Sequence, residues 1–157
     1  MNSGKIIAAL GAMFLSACTG GPAVNAPAVP TGPAEATLGE VPAQQLNKGQ
    51  CALVLWSHKS PPLRFLVSLS DPAVVRVQLE GKLVEIARVA QSGQPFYGQF
   101  PDQRYRGNGV SLGVSFSVDG AKALAGGAVV SSAVVEYADA NGWTTVIPAA
   151  GLIACQT

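Results

Sequence analysis

The sequence predicts an all-β domain, a small antiparallel barrel or sandwich of about seven to nine short strands closed by one disulfide. Three observations lead there. From Cys51 to Cys155 the chain is a succession of short apolar or alternating runs separated by Gly, Pro, Asn and Asp clusters, the punctuation of strands and turns. Its 18 glycines and 11 prolines beside only 12% charged residues suit a turn-rich β protein with a flexible tail better than a helical bundle. Two cysteines bracket the whole succession.

Ahead of that domain the chain reads as an export signal and a tether. Lys5 supplies a short positive start, and Ile6 to Leu15 an apolar run too short to span a membrane. Leu15-Ser16-Ala17-Cys18 then forms a small-residue cleavage site ending on cysteine. The four residues LSAC resemble the lipobox of bacterial lipoproteins. The resemblance implies that residues 1–17 are removed and that Cys18, carrying palmitate-type acyl chains, becomes the first residue of the mature protein. The plainer alternative is an ordinary cleavage site with a cysteine nearby. At about 0.8 kcal/mol per buried CH₂, several acyl chains make an effectively permanent anchor. Thr19 stands where the retention signal of enteric lipoproteins has aspartate, which implies the outer membrane with the domain facing the periplasm. Residues 18–47 comprise the lipidated cysteine and a Gly, Ala and Pro tether with neither strand nor helix period, and the β-domain is expected over 48–157. A coil of that length spans about 30 Å, enough to hold the domain off a membrane.

Within the domain, CALVLW at Cys51 to Trp56 and LRFLVSLS at Leu63 to Ser70 are short apolar runs bounded by HKSPP and by Asp71-Pro72. The next run alternates, with Ala73, Val75, Val77 and Leu79 on one face and Arg76 and Gln78 on the other. Glu80-Gly81 then turns it into KLVEIARV. Val110, Leu112, Val114, Phe116 and Val118 alternate with Ser111, Gly113, Ser115 and Ser117, which predicts a half-buried strand. Asp119-Gly120 is expected to end it, with a small-residue segment from Ala121 to Gly127 that admits a helical turn. AVVSSAVVEYA, an Asn141-Gly142 hairpin signal, WTTVI and LIAC complete the sheet. An oxidising periplasm would let Cys51 and Cys155 pair, tying the domain's ends together. Two buried free thiols are the alternative.

Chemistry concentrates in one polar, aromatic and basic excursion, Ser92 to Gly107, SGQPFYGQFPDQRYRG. Elsewhere little suggests catalysis. The single histidine, His58, lies in a Lys-Ser-Pro-Pro turn without ligand-spaced partners. No serine sits in a nucleophile elbow, no glycine loop opens a helix to hold phosphate, and nothing marks two carboxylates as a glycosidase pair. The expectation is a protein that is not an enzyme, with no cofactor and no metal. A formal net charge of +1 and the absence of a basic run argue against nucleic acid.

The excursion and its flanks resemble the membrane-bound lysozyme inhibitors of C-type lysozyme, small disulfide-closed β-barrels that are often lipoproteins. The resemblance covers residues 73 to 112. Gly81 stands at the turn of a strand pair, Ser92-Gly93 is followed by Phe96 and Gly98, and Tyr105-Arg106-Gly107 stands where the family has an aromatic, a spacer residue and Lys-Gly. It implies a partner-binding surface made by Ser92, Gly93, Phe96, Tyr97, Tyr105 and Arg106. Ser92 would hydrogen-bond lysozyme's protonated acid and Arg106 would pair with its ionised carboxylate, while Phe96, Tyr97 and Tyr105 form an apolar rim. The partner is then a C-type lysozyme. The alternative is a structural or interaction lipoprotein docking on another cell-envelope protein or on peptidoglycan, with Arg104, Tyr105 and Arg106 as a solvated strand edge.

Overall fold

A computed structural model describes residues 38–157, apart from the side chains of 121–123, and shows an all-β fold with no helix among the described residues. The strands are β1 (Leu38–Gly39), β2 (Cys51–Ser57), β3 (Arg64–Leu69), β4 (Val74–Leu79), β5 (Lys82–Ser92), β6 (Asp102–Gly107), β7 (Val110–Leu124), β8 (Gly127–Ala138) and β9 (Thr144–Cys155). From β2 onward each strand pairs antiparallel with the next, and β9 pairs with β2, so eight strands close into an up-and-down barrel. The closing seam runs from Cys51↔Cys155 to Ser57↔Ala149, and the disulfide Cys51–Cys155 locks its end across a sequence separation of 104. A covalent loop of that length is worth about 4.7 kcal/mol in the chain-entropy account.

Alternation decides what fills the barrel. Val75 and Val77 of β4, Val110, Leu112, Val114 and Phe116 of β7, and Val135 and Tyr137 of β8 point inward with Leu53, Leu55, Leu66 and Ile153. Eight strands leave an interior just wide enough for such side chains to fill. The third strand departs from alternation, for Phe65 through Leu69 are all buried. The cause lies upstream. Val41 and Leu46 cover Ala52, Val67 and Leu69 on the outer surface, making a second apolar cluster. Strand β1 pairs with the end of β4 (Leu38↔Leu79, Gly39↔Gln78) where β3 and β4 share only two registered pairs. Two bonds tie Val41, two residues beyond β1, to β3: Val41 N donates to Arg64 O at 2.7 Å, and Arg64 Nε donates to Val41 O at 2.8 Å. Among the described residues the packed body thus already includes Leu38 and Val41, ahead of the expected boundary at 48, because they are buried apolar side chains that a tether would lack. The expected signal segment 1–17, Cys18 and the expected tether up to residue 37 lie outside the described residues.

A second correction concerns Asp119-Gly120. That pair does not end β7, which continues to Leu124, and the only turn before β8 is Ala125-Gly126. The break survives as an irregular register between Val118 and Ala123, where the strand absorbs a turn signal without leaving the sheet. One end of the barrel therefore carries the short turns at 80–81 and 108–109 and the loop at 139–143. The opposite end carries the 70–73 corner, the excursion after Ser92 and the disulfide.

Candidate functional site

Period two splits the excursion between two environments. Along β6, Asp102, Arg104 and Arg106 are exposed on the outer face, while Gln103 and Tyr105 are buried inside the barrel. Ser92 ends β5 opposite Asp102 and shares its outward face, since directly paired residues in antiparallel strands do. On that face Ser115 Oγ donates to Asp102 Oδ1 at 2.8 Å. Arg104 turns sideways across β7 and donates from Nη1 to Glu136 Oε2 at 2.8 Å. It can lie there because the β7 residue opposite it is Gly113. A Cβ at that position would overlap the Arg104 guanidinium.

Arg106, one outward step further on, makes no hydrogen bond or ion pair among the described residues. It overhangs a groove of about 310 Å³ floored by Gly113 and flanked by Val89, Ser111 and Thr144. Ser92 and Arg106 sit four residues apart along the paired strands, about 13 Å at 3.3 Å per residue. Arg104, the residue between them, is drawn off the line by Glu136. One outward strip thus presents a free hydroxyl at one end and a free guanidinium at the other.

Inside the barrel, directly behind this strip, lies a polar cluster. Tyr105 Oη donates to Gln103 Oε1 at 2.7 Å, and Arg88 Nη1 donates to the same oxygen at 2.8 Å. Ser68 Oγ lies 2.6 Å from Tyr105 Oη and 2.9 Å from Gln99 Oε1, with one proton to share between them. Gln99 Nε2 donates to Ser68 O at 3.0 Å, and Gln103 Nε2 to Gln99 Oε1 at 3.2 Å. Ser68, Gln99 and Gln103 are each fully buried, and no buried side-chain N or O among the described residues lacks a partner. Burial pushes the Tyr105 hydroxyl up to about 12, with Ser68 and Arg88 pulling the other way. Arg88 also stands over the Phe100 ring, 5.4 Å from its centre. The cluster stitches Gln99 and Tyr105 of the excursion to Ser68 of β3, so the loop is held from below.

The expected contact residues therefore divide. Ser92, Phe96, Tyr97 and Arg106 are exposed and available to a partner. Gly93 has no side chain to offer and serves the turn, with φ +88 and its hydrogen side against Pro101. Tyr105 is corrected: at 1% exposure it forms no rim but centres the buried cluster. Gln99, Gln103, Arg88, Gly113 and Glu136 were not expected, although Gln103 and Tyr105 stand two apart between outward Arg and Asp, which is the inward phase of a strand. His58 lies in the exposed turn after β2, and among the described residues no three His, Cys, Asp or Glu side chains gather where a metal ion could sit. Compared with known proteins, the chain matches no family model, no curated protein and no solved structure. The resemblance to lysozyme inhibitors rests on the residues quoted between 73 and 112 alone.

Proposed function

We propose that this protein is an outer-membrane lipoprotein, anchored through Cys18, whose periplasmic barrel inhibits C-type lysozyme by laying the β5–β6 face into the catalytic cleft. The observation that carries the reading is the outward strip from Ser92 to the unpaired Arg106, kept clear by the Arg104–Glu136 pair. C-type lysozyme is a retaining glycosidase with one protonated and one ionised carboxyl group, and such pairs stand about 5–5.5 Å apart. At about 1.5 Å per bond, an arginine side chain laid along the strand reaches roughly 6–7 Å, which closes the strip's 13 Å to roughly 6–7 Å, near enough to that spacing for side-chain adjustment to bridge. Ser92 then hydrogen-bonds the acid and Arg106 pairs with the carboxylate, while Phe96 and Tyr97 shut out water. The lipobox-like LSAC supports the anchor, and the Cys51–Cys155 disulfide supports an oxidising compartment.

The test is clearing of cell-wall suspensions by a C-type lysozyme in the presence of residues 38–157. Micromolar domain is expected to slow clearing. Arg106→Ala should weaken inhibition by roughly 2 to 5 kcal/mol, because truncation leaves a carboxylate buried and unpaired. Ser92→Ala should cost about 1 to 3 kcal/mol. Arg106→Lys restores the family's residue without the planar fork and should keep much of the potency. Unimpaired clearing with wild-type domain sinks the reading, and equal potency for wild type and Arg106→Ala removes the strip from it.

A further inference from the structure

The tip of the excursion holds an aromatic residue in a backbone conformation that suits it poorly. Phe96 and Gln99 exchange both backbone hydrogen bonds, at 2.8 and 2.9 Å, around Tyr97 and Gly98, whose φ values are +50 and +75. Two positive φ values in a two-residue loop define a type I′ turn, for which Asn-Gly is the favoured pair. The turn at Asn108-Gly109 uses that pair, with φ values of +53 and +75. Glu80 also enters this region, at φ +48, with a charged side chain in solvent. A bulky aromatic there is a different matter, since the left-handed region is costly for any side chain that cannot hydrogen-bond its own backbone. The fold gains nothing visible in return. Tyr97 is 48% exposed and its hydroxyl has no partner among the described residues.

The tip is nevertheless built to hold still. Gln99, its last residue, is fully buried and anchored to Ser68 and Gln103, and the tip rests on the 70–73 corner, where a Cβ on Gly98 would come within 2.8 Å of Ser70 Cβ. A rigid aromatic that loses little freedom on binding is the kind of residue that dominates interfaces. From these observations we infer that Tyr97 is an anchoring contact of the inhibitor, filling an apolar sugar-ring subsite of the lysozyme cleft beyond the catalytic carboxylates. This rests on the reading above. A protrusion two residues wide fits a concave partner, and it leaves the barrel at the Ser92 end of the strip.

The experiment compares wild type, Tyr97→Asn and Tyr97→Phe in residues 38–157 by thermal melting and by inhibition of a C-type lysozyme on cell walls. Tyr97→Asn supplies the residue that type I′ turns favour, so it should melt roughly 2 to 5 °C higher. It should also inhibit at least tenfold more weakly. Tyr97→Phe keeps the ring and should stay within about threefold of wild type, by the area it still buries. Tyr97→Asn with full potency, or with no gain in melting temperature, overturns the inference while leaving an Arg106-dependent inhibitor standing. A wild-type domain that does not inhibit overturns both.

Discussion

At the scale of single residues, the buried hydroxyl of Tyr105 ties loop chemistry to stability. An unfolded chain ionises its tyrosines near the ordinary value of 10, whereas burial holds Tyr105 protonated up to about 12. Between those values the unfolded state releases a proton that the folded state keeps, so stability should fall as pH rises from 10 to 12 and be unaffected by this group below that window. At about 1.4 kcal/mol per unit, the loss should total roughly 2 to 3 kcal/mol by pH 12. Urea unfolding at pH 8 and pH 11.5 measures it, with Tyr105→Phe as reference. The variant should begin about 1 to 3 kcal/mol less stable, since Ser68 and Gln103 each lose a partner, but its extra alkaline loss should be absent. An identical alkaline loss in both proteins would show that other groups cause it. The same residue shows where reading by proximity fails. Tyr105 and Arg106 adjoin in sequence, yet a strand sends neighbours to opposite faces, and so one is core and the other exposed.

At the scale of elements, the apolar runs over β3 and β7 were both legible as strands, but which faces they bury was legible only for β7, and β6 was hidden inside a polar excursion. Val110 to Phe116 announces itself by strict alternation, and Ala73 to Leu79 nearly so. By contrast β3 reads as an apolar block because a covering segment buries its outer face, and that segment, in a Gly, Ala and Pro stretch with a two-residue strand, carries no period of its own. Ser92 and Arg106 are exposed, as the resemblance implied, whereas Tyr105, taken from the same resemblance, is buried. The Gly113 gap that seats Arg104 was not legible, because it depends on cross-strand register that no local pattern encodes. The covering segment yields a test. Leu38 and Val41 are at most 1% exposed, and full burial of each side chain is worth about 1.5 to 3 kcal/mol. A domain beginning at Lys48 should therefore be roughly 3 to 6 kcal/mol less stable in urea than one beginning at residue 38, with the weakly paired β3–β4 seam opened as well. Coincident unfolding curves would mean that residues 38–47 lie on the barrel without stabilising it.

For the whole molecule, closure at Cys51–Cys155 and the inward polar cluster fix the frame, and the strip and tip proposed to meet a partner lie exposed on it. Charge then distinguishes how that meeting occurs. With a formal net charge of +1, the chain generates no acidic field to draw in a basic lysozyme, so encounter should proceed at an unsteered rate of about 10⁵–10⁶ M⁻¹s⁻¹. The attraction resides in one cation, Arg106, and in the proposed complex that charge sits within a cleft from which water and counterions are displaced. Such a contact is screened far less than exposed charges, whose interactions fade beyond the roughly 10 Å Debye length at 0.1 M salt. Raising salt from about 50 to 200 mM should accordingly change the inhibition constant by less than about threefold, and any change should appear in association rather than dissociation. Stopped-flow or surface-based kinetics of residues 38–157 against a C-type lysozyme at both salt concentrations reads the two rates separately. A tenfold or greater weakening with salt would mean that several exposed charges carry the complex. The acidic positions nearest the strip, Asp102 and Glu136, would then replace Arg106 as the groups that meet the enzyme.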